Sequence, residues 1–247
     1  MIAPPAAGDT VEGRVFADLD WAEADFGDAV FVRCRFEGIQ FTSVSLVGAR
    51  FERCNLVGCR FAHADARETV FEDCVLRRPQ DQTGVAIAFS RFEDASFTRC
   101  DLRFARMERS DLHGLSMEDC DLTGAVLSRC TFKRRLGRSE SAARGRFVRC
   151  NLHLADLAGA GLAGCELSGS RLLEADLSGT DLAGADLRGS EFFGANLAGA
   201  KLARADLRDA EISGLDLTQL ASREGMIIGP GQQHLLLAAM GIDVRLD

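Results

Sequence analysis

The sequence predicts an all-β solenoid whose chain turns a corner every five residues and closes a square coil of about 20 residues. Three observations support this fold. A large apolar residue occurs at every fifth position, a small residue lies two places before it, and glycine often lies two places after it. A period of five fits neither the 3.6-residue period of a helix nor the two-residue period of a strand.

The large apolar positions, here called centres, follow one frame from Phe16 to Leu76. The frame restarts one residue out of phase from Ile87 to Phe132, and it resumes after a ten-residue gap from Phe147 to Leu217. Of these 38 centres, 37 hold a large apolar residue, and we expect them to fill the interior. Phenylalanine dominates the early coils and leucine the later ones, so the two halves should pack differently.

The small slot two places before a centre contains every cysteine of the chain. This slot predicts buried thiols that pack like alanine, not metal ligands or disulfides, because metal sites need closer spacing and more ligands. The four histidines are scattered, and no nucleophile lies next to a base. The sequence therefore indicates a protein that is not an enzyme and has no cofactor or metal. The nine cysteines are Cys34, Cys54, Cys59, Cys74, Cys100, Cys120, Cys130, Cys150 and Cys165.

Composition narrows the class of protein further. The chain is 47% hydrophobic with a net charge of −8, which argues against a protein that coats nucleic acid or anionic lipid. The first residues lack the basic and apolar regions of a secretory signal, and no apolar run is long enough to cross a membrane. We therefore expect a cytoplasmic protein without membrane association or direct nucleic-acid binding.

The later repeat units identify a family. ADLSG at 175–179, ADLRG at 185–189 and ANLAG at 195–199 resemble the A(D/N)LXX motif of pentapeptide-repeat proteins. The resemblance covers residues 16–217 and implies a right-handed quadrilateral parallel β-helix with two loop interruptions and a short C-terminal helix. Roughly ten coils at about 4.8 Å each would give a rod about 50 Å long.

Two segments interrupt the repeat, at residues 77–86 and 137–146. The first contains proline and glycine and shifts the frame by one residue, and the second takes the place of two repeats. Between Arg129 and Arg149 there are eight basic residues and one acidic residue. Two interpretations remain open for this basic segment: a solvated loop, or a contact with an acidic partner surface or a phosphate backbone.

The period ends at Leu217, and residues 218–247 form a predicted capping or dimerisation segment. A helix is expected over 231–240, because Pro230 lies near its start and Gly241 can stop it. The alternation of Ile242, Val244 and Leu246 predicts a short strand. The open end of a solenoid must be covered, and a symmetric dimer is favoured over simple capping. The predicted interface residues are Leu235, Leu236, Leu237 and Met240.

Acidic residues recur once per coil and should form columns along the rod. Residues 151–217 carry 11 acids and 5 bases, about one net charge per 2.7 Å against about one per 1.7 Å in duplex DNA. These columns can imitate DNA, or their oxygens can simply accept hydrogen bonds from turn amides. The columns are Asp156, Asp176, Asn196 and Asp216; Glu166, Asp186 and Asp206; and Glu191 and Glu211.

The interrupted rod with an apolar C-terminal helix resembles the Qnr-type quinolone-resistance and related self-resistance proteins. This resemblance implies a DNA mimic that dimerises through its C-terminal end and protects DNA gyrase and topoisomerase IV from drugs. It also implies that the two loops contact the enzyme. A scaffold or assembly module for an unrelated protein is the alternative. The predicted loop contacts are Arg77, Arg78, Gln80, Arg134, Arg135, Arg138 and Arg144.

Overall fold

The computed structural model describes residues 5–17, 21–78, 80, 82–136, 139–213, 215–239 and 241–242. It confirms the predicted parallel β-solenoid, with one short helix α1 at Gln233–Ala239 after a 3-10 turn at Pro230–Gln232. The strands are β1 Thr10–Glu12, β2 Val15–Ala17, β3 Val30–Val32, β4 Arg35–Glu37, β5 Gln40–Thr42, β6 Arg50–Glu52, β7 Asn55–Val57, β8 Arg60–Ala62, β9 Val70–Glu72, β10 Arg77–Arg78, β11 Thr83–Gly84, β12 Ala86–Ala88, β13 Ser96–Thr98, β14 Arg106–Glu108, β15 Leu115–Glu118, β16 Val126–Ser128, β17 Arg135–Leu136, β18 Ser139–Glu140 and β19 Gly145–Val148.

The solenoid has four faces. The first face is the parallel sheet β1-β3-β6-β9-β13-β15-β19, the second begins with β2-β4-β7, and the third contains β5-β8-β12-β14-β16. The fourth face is held by single parallel bridges that start at Asp25 and Ser45. In the C-terminal half all four faces continue as single bridges, because each side of the square is only a few residues long.

The register confirms the predicted coil length. On the first face, Val30 pairs with Arg50 and Arg50 with Val70, so each of these coils consists of four five-residue sides. The step from Val70 to Ser96 is longer by six positions, and the step from Ser116 to Arg146 is longer by ten. The two interruptions therefore lengthen single coils, and the stacking continues across both.

The coiling extends past the predicted end of the period at Leu217. Lys201 bridges Ser222 and Asp206 bridges Ile227, so the last step on each of these two faces exceeds the regular coil by a single inserted residue. This shift buries Leu215 and Leu220 and leaves the centre Leu217 half-buried. The other 37 centres are all buried.

The aromatic centres of the N-terminal half stack from coil to coil. The ring centroids of Phe51 and Phe71 lie 4.8 Å apart with planes 7° from parallel. Phe71 and Phe97 lie 4.5 Å apart at 3°. In-register stacking places identical side chains one above another, which gives phenylalanine large contact areas and favourable ring packing.

Six cysteines form a single interior column on the second face. Each thiol donates a hydrogen bond to a carbonyl of the preceding coil, for example Cys54 to Phe31 at 3.2 Å and Cys74 to Phe51 at 3.2 Å. All nine cysteines are free, eight are buried, and burial raises the pKa of the Cys59 thiol to about 12. Burial raises the pKa of the Cys165 thiol to about 12 as well, so these two thiols stay protonated and serve as packing groups. The column comprises Cys34, Cys54, Cys74, Cys100, Cys120 and Cys150.

The second place after a centre is left-handed in most coils, whichever residue occupies it. Arg99 has φ 52° and Asp119 has φ 54°, although neither is glycine. A non-glycine residue in this region costs roughly 1–2 kcal/mol. The backbone N–H of the same residue bonds to the next coil, as Arg99 does to Glu118 at 2.9 Å, so stacking offsets the strain.

Candidate protein-binding surface

The structure aligns the predicted acidic columns. Glu166, Asp186 and Asp206 are linked by consecutive bridges on the first face, and Glu191 pairs with Glu211 on the second. On the third face, Asp156 pairs with Asp176 and Asp176 with Asn196. Among the described residues no bridge joins Asn196 to Asp216, since Gly199 bonds to the carbonyl of Gln219 where the inserted residue shifts the register.

Arginines neutralise the acidic column of the first face. The Arg188 guanidinium lies 2.6 Å from Asp186, and Arg208 lies 2.6 Å from Asp206. The hydrogen bond from Arg188 lowers the pKa of Asp186. Arg146 also reaches Glu166 at 2.9 Å. This column therefore presents far less net charge than its acidic residues alone indicate.

The second face is partly neutralised in the same way, because Arg171 lies 3.3 Å from Glu191. Glu211 instead accepts a 2.8 Å hydrogen bond from the backbone N–H of Ser213. The hydroxyl of Ser213 and this N–H lower the pKa of Glu211 without supplying a positive charge. Only the end of this column keeps an uncompensated carboxylate.

The acids of the third face have no cationic partner among the described residues. Asp156 accepts the N–H of Ala158 at 3.0 Å, and Asp176 accepts the N–H of Ser178 at 2.9 Å. Asp216 accepts the N–H of Thr218 at 2.9 Å. These neutral donors fix the carboxylates and leave their charge in place, so turn bonding and surface charge coexist here.

The first interruption is a hairpin. β10 pairs antiparallel with β11, and Arg78 lies opposite Thr83. Arg77 lies 2.7 Å from Asp101 and both side chains are 19% exposed, so Arg77 anchors the hairpin and is not free for a partner. Gln80 is an exposed turn residue, and Arg78 is also exposed. Ala86, which the sequence assigned to this loop, already belongs to strand β12.

The second interruption is also a hairpin, formed by β17 and β18. Its boundaries differ from the predicted loop 137–146, because Gly145 and Arg146 belong to β19 and continue the first face. The extra residues are therefore accommodated before Gly145. Arg144 is exposed; Arg138 and the side chain of Arg135 lie outside the described residues.

Arg134 ties the base of this second hairpin to the rod. Its guanidinium lies 2.6 Å from Glu93, a carboxylate that also binds Arg91 at 2.8 Å. The Glu93 side chain is only 8% exposed. Burial opposes ionisation, yet the two arginines hold the pKa of Glu93 below its usual value.

The C-terminal segment caps the rod. The side chain of Gln232 donates hydrogen bonds to the carbonyls of Leu207 at 2.8 Å and Ala210 at 2.7 Å. Leu236 is buried in the core of its own chain, which places it in the cap and not at a free surface. Leu235 and Leu237 are half-buried. Met240, Val244 and Leu246 lie outside the described residues.

Sequence inspection missed a basic patch on the third face. Arg60, Arg106 and Arg129 are exposed and have no ion pair among the described residues. Beside them, the Phe89 ring is 44% exposed and lies between His63, with ring centroids 5.2 Å apart, and Arg109, whose guanidinium carbon is 5.5 Å from the ring centroid. The patch becomes visible in the sequence only when the coils are aligned with the longer step from Arg60 to Ala86 at the first insertion.

The described part of the chain does not form a metal centre. No cluster of three or more histidine, cysteine or acidic side chains there has an arrangement that could hold a metal ion. Over the same residues, the structure contains no helix long and apolar enough to cross a bilayer.

Comparison with known proteins agrees with this architecture. The family model of pentapeptide repeats matches residues 17–56, 54–79, 90–129, 150–189 and 190–220, in eight copies. The sequence matches no curated protein significantly.

The fold is similar to that of QnrB1, a plasmid-mediated fluoroquinolone resistance protein. Full-length QnrB1 has a TM-score of 0.78 at 23% identity, over 94% of this chain and 100% of that chain. One trypsin-treated QnrB1 variant gives 0.76 at 24% identity, over 98% and 100% of the two chains. A second gives 0.72 at 22% identity, over 96% and 98%. These likenesses establish the fold.

Proposed function

This chain belongs to the pentapeptide-repeat family, and we propose that it is a non-enzymatic interaction protein that binds a bacterial type II topoisomerase by imitating DNA. It protects gyrase or topoisomerase IV from poisons in the cytoplasm. The observation that carries this proposal is the third face, where Asp156 and Asp176 occupy successive coils with no arginine among the described residues to neutralise them. The similarity of the fold to QnrB1 supports it.

The magnitude of the charge sets how this mimicry works. From Asp156 to Asp216 the third face carries three unneutralised acids over three coil steps, roughly one charge per 5 Å at the inter-strand spacing. Duplex DNA carries about one charge per 1.7 Å, or one per 3.4 Å for each strand. The acidic face therefore guides the rod to the basic surface of the enzyme and sets its alignment there. The shape of the rod and the hairpin contacts must supply much of the affinity.

The two hairpins supply those further contacts. Their bases are held by Arg77 to Asp101 and by Arg134 to Glu93, so the arginines nearest the rod position the hairpins. The exposed residues Arg78, Gln80 and Arg144 are then the hairpin contacts to the enzyme. In this proposal the hairpins reach the drug-bound cleavage site while the acidic face occupies the basic DNA-binding surface.

The same proposal includes a homodimer through the C-terminal end. Ile227 and Ile242 are 45% and 46% exposed there, and Leu237 is half-buried. Because Leu236 is used inside the cap, these three residues replace it as the apolar contact between protomers.

Supercoiling and drug-induced cleavage by purified gyrase and topoisomerase IV test the proposal. Wild-type protein should relieve fluoroquinolone-induced cleavage at low concentration and inhibit supercoiling at high concentration. Asp156→Asn with Asp176→Asn should require several-fold more protein for either effect.

The matched control is Asp186→Asn with Asp206→Asn, which removes the same charge from acids already paired with arginine. Its dose dependence should stay close to wild type. If wild-type protein changes neither supercoiling nor cleavage, the topoisomerase proposal is wrong and a scaffold for another protein takes its place.

A further inference from the structure

The unpaired arginines of the third face differ from most arginines of this chain. Fifteen described arginines form ion pairs within the chain. Arg60, Arg106 and Arg129 lie on one face within four coils and form none among the described residues. Exposed cations with no ion pair among the described residues are available for an acidic surface outside the chain.

Both signs of charge lie on the same face, at opposite ends. Successive pairings link Arg60, Ala86, Arg106, Val126, Asp156, Asp176 and Asn196 in one column. The charge of the side chains in this column changes from positive to negative between Val126 and Asp156. This face is therefore basic in the middle of the rod and acidic toward its C-terminal end. The one carboxylate of β14, Glu108, lies 3.6 Å from Arg109, and Arg60, Arg106, Asp156 and Asp176 form no ion pair among the described residues.

We propose that the third face pairs with the third face of a second copy, with the two rods antiparallel. A two-fold axis in the plane of contact, perpendicular to the rod, keeps each column opposite itself and reverses the order of coils. An axis between Val126 and Asp156 then places Arg106 opposite Asp176 of the second copy. One coil pair further out it places Ala86 opposite Asn196.

The corner column next to this one fits by shape. Phe89, Arg109 and Arg129 occupy the left-handed corner position in three successive coils. The same axis sets them opposite Gly199, Gly179 and Gly159 of the second copy. Gly159 and Gly179 have open space where a side chain would extend. Bulky side chains of one half therefore meet a flat strip of the other, and Arg129 comes within reach of Asp156.

The outermost contact brings Arg60 toward Asp216 across seven coil steps, about 34 Å at the usual spacing. A face roughly 12 Å wide then buries a total of about 800 Å², below the 1,200 Å² of stable standard interfaces. The pairing is therefore weak and reversible. Its exposed ion pairs make it sensitive to salt, because such charges are screened within about 10 Å at 0.1 M ionic strength.

This association has a regulatory consequence that rests on the proposed function. Asp156 and Asp176 are covered in the antiparallel pair, so self-association and topoisomerase binding compete for the same carboxylates. The dimer would be a stored form that dissociates as the protein engages its target. It is distinct from contact through the C-terminal end, which leaves the third face open.

Sedimentation equilibrium of the purified chain tests the pairing without any topoisomerase. The wild type should self-associate at 50 mM salt and at least tenfold more weakly at 500 mM. Arg106→Glu and Asp176→Arg should each weaken association at least tenfold at 50 mM salt, since every dimer then contains two like-charged contacts.

An equimolar mixture of the two variants separates this interface from all others. In the mixed dimer, the Glu at position 106 of one copy faces the Arg at position 176 of the other, and the second 106–176 contact is native, so association should return to near the wild-type strength. Arg188→Glu and Asp186→Arg are the matched controls on the first face. Neither variant, alone or in an equimolar mixture, should change the salt-dependent self-association.

Three results would overturn the pairing. These are a wild type that stays at one mass from 50 to 500 mM salt, single variants that associate as wild type does, and a mixture no stronger than its components. Binding of a short duplex DNA through Arg106 without self-association would assign the arginines to a polyanion instead.

Discussion

The guanidinium of Arg134 lies 2.6 Å from the carboxylate of Glu93, two coils earlier in the stack. Glu93 also accepts hydrogen bonds from Arg91 of its own coil, so one buried carboxylate joins a bridge residue of the fourth face to the base of the second hairpin. The position of the hairpin is thus determined by a contact with the rod as well as by its own turn. The change in stability that accompanies protonation of Glu93 therefore reports how strongly the hairpin is attached to the rod.

Protonation of Glu93 should weaken that attachment. Its pKa in the folded state lies below its ordinary value of 4.5, so the stabilisation is complete above that value and is lost as the pH falls through the lower folded pKa. The melting temperature of Glu93→Gln should therefore fall less between pH 7 and pH 3 than that of wild type. Thermal melts across this range measure it, with Glu68→Gln, an exposed glutamate of the preceding coil, as the control. Parallel pH curves for wild type and Glu93→Gln would refute it.

Removing residues 134–143 should leave the solenoid intact. The deletion joins Lys133 to Arg144 and restores a regular coil in which Gly145 takes the small slot and Phe147 the centre. Circular dichroism should retain the β spectrum, whereas protection of gyrase should be lost. Deletion of the predicted loop 137–146 would also remove part of β19 and serves as the contrasting variant. Full protection by the 134–143 deletion would separate the hairpin from function.

Phe71→Ala should cost about 3–5 kcal/mol of unfolding free energy. The ring is fully buried between Phe51 and Phe97, and neighbouring coils cannot collapse on the void without losing register. Urea unfolding measures the loss. Phe193→Ala is the control, since that ring is 67% exposed and its removal should change stability by about 0.5 kcal/mol or less. Similar losses at both positions would contradict the stacked core.

Leu237→Asp should disrupt the proposed dimer through the C-terminal end, whereas Leu236→Asp should destabilise the fold. Leu236 is buried against its own chain and Leu237 is half-buried. Light scattering at 500 mM salt, where the third-face pairing is suppressed, should report monomers for Leu237→Asp with a melting temperature near wild type. A persistent dimer at this salt concentration would exclude Leu237 from the interface.

Most of the fold follows from the spacing of apolar residues. The centres, the small slot and the one-residue shift after Leu76 all predicted positions that the structure buries, because an interior of fixed width accepts one large side chain per side. The end of the coil was less visible. Past Leu217 the apolar period fades, yet the backbone bridges at Ser222 and Ile227 continue, since parallel pairing depends on N–H and C=O groups and not on side chains.

The charged surface was predicted only in outline. The repeat, the coil length and the columns in which acids recur are all readable from the sequence alone, because a five-residue period leaves one choice of inward residues. Tertiary structure decided which acids keep their charge: Arg99 reaches Asp73 and Arg149 reaches Asp119 only after the hairpin insertions are left out of the coil. Long arginine side chains reach across coils, so the neutralisation of a carboxylate depends on which layers are stacked and not on distance along the chain.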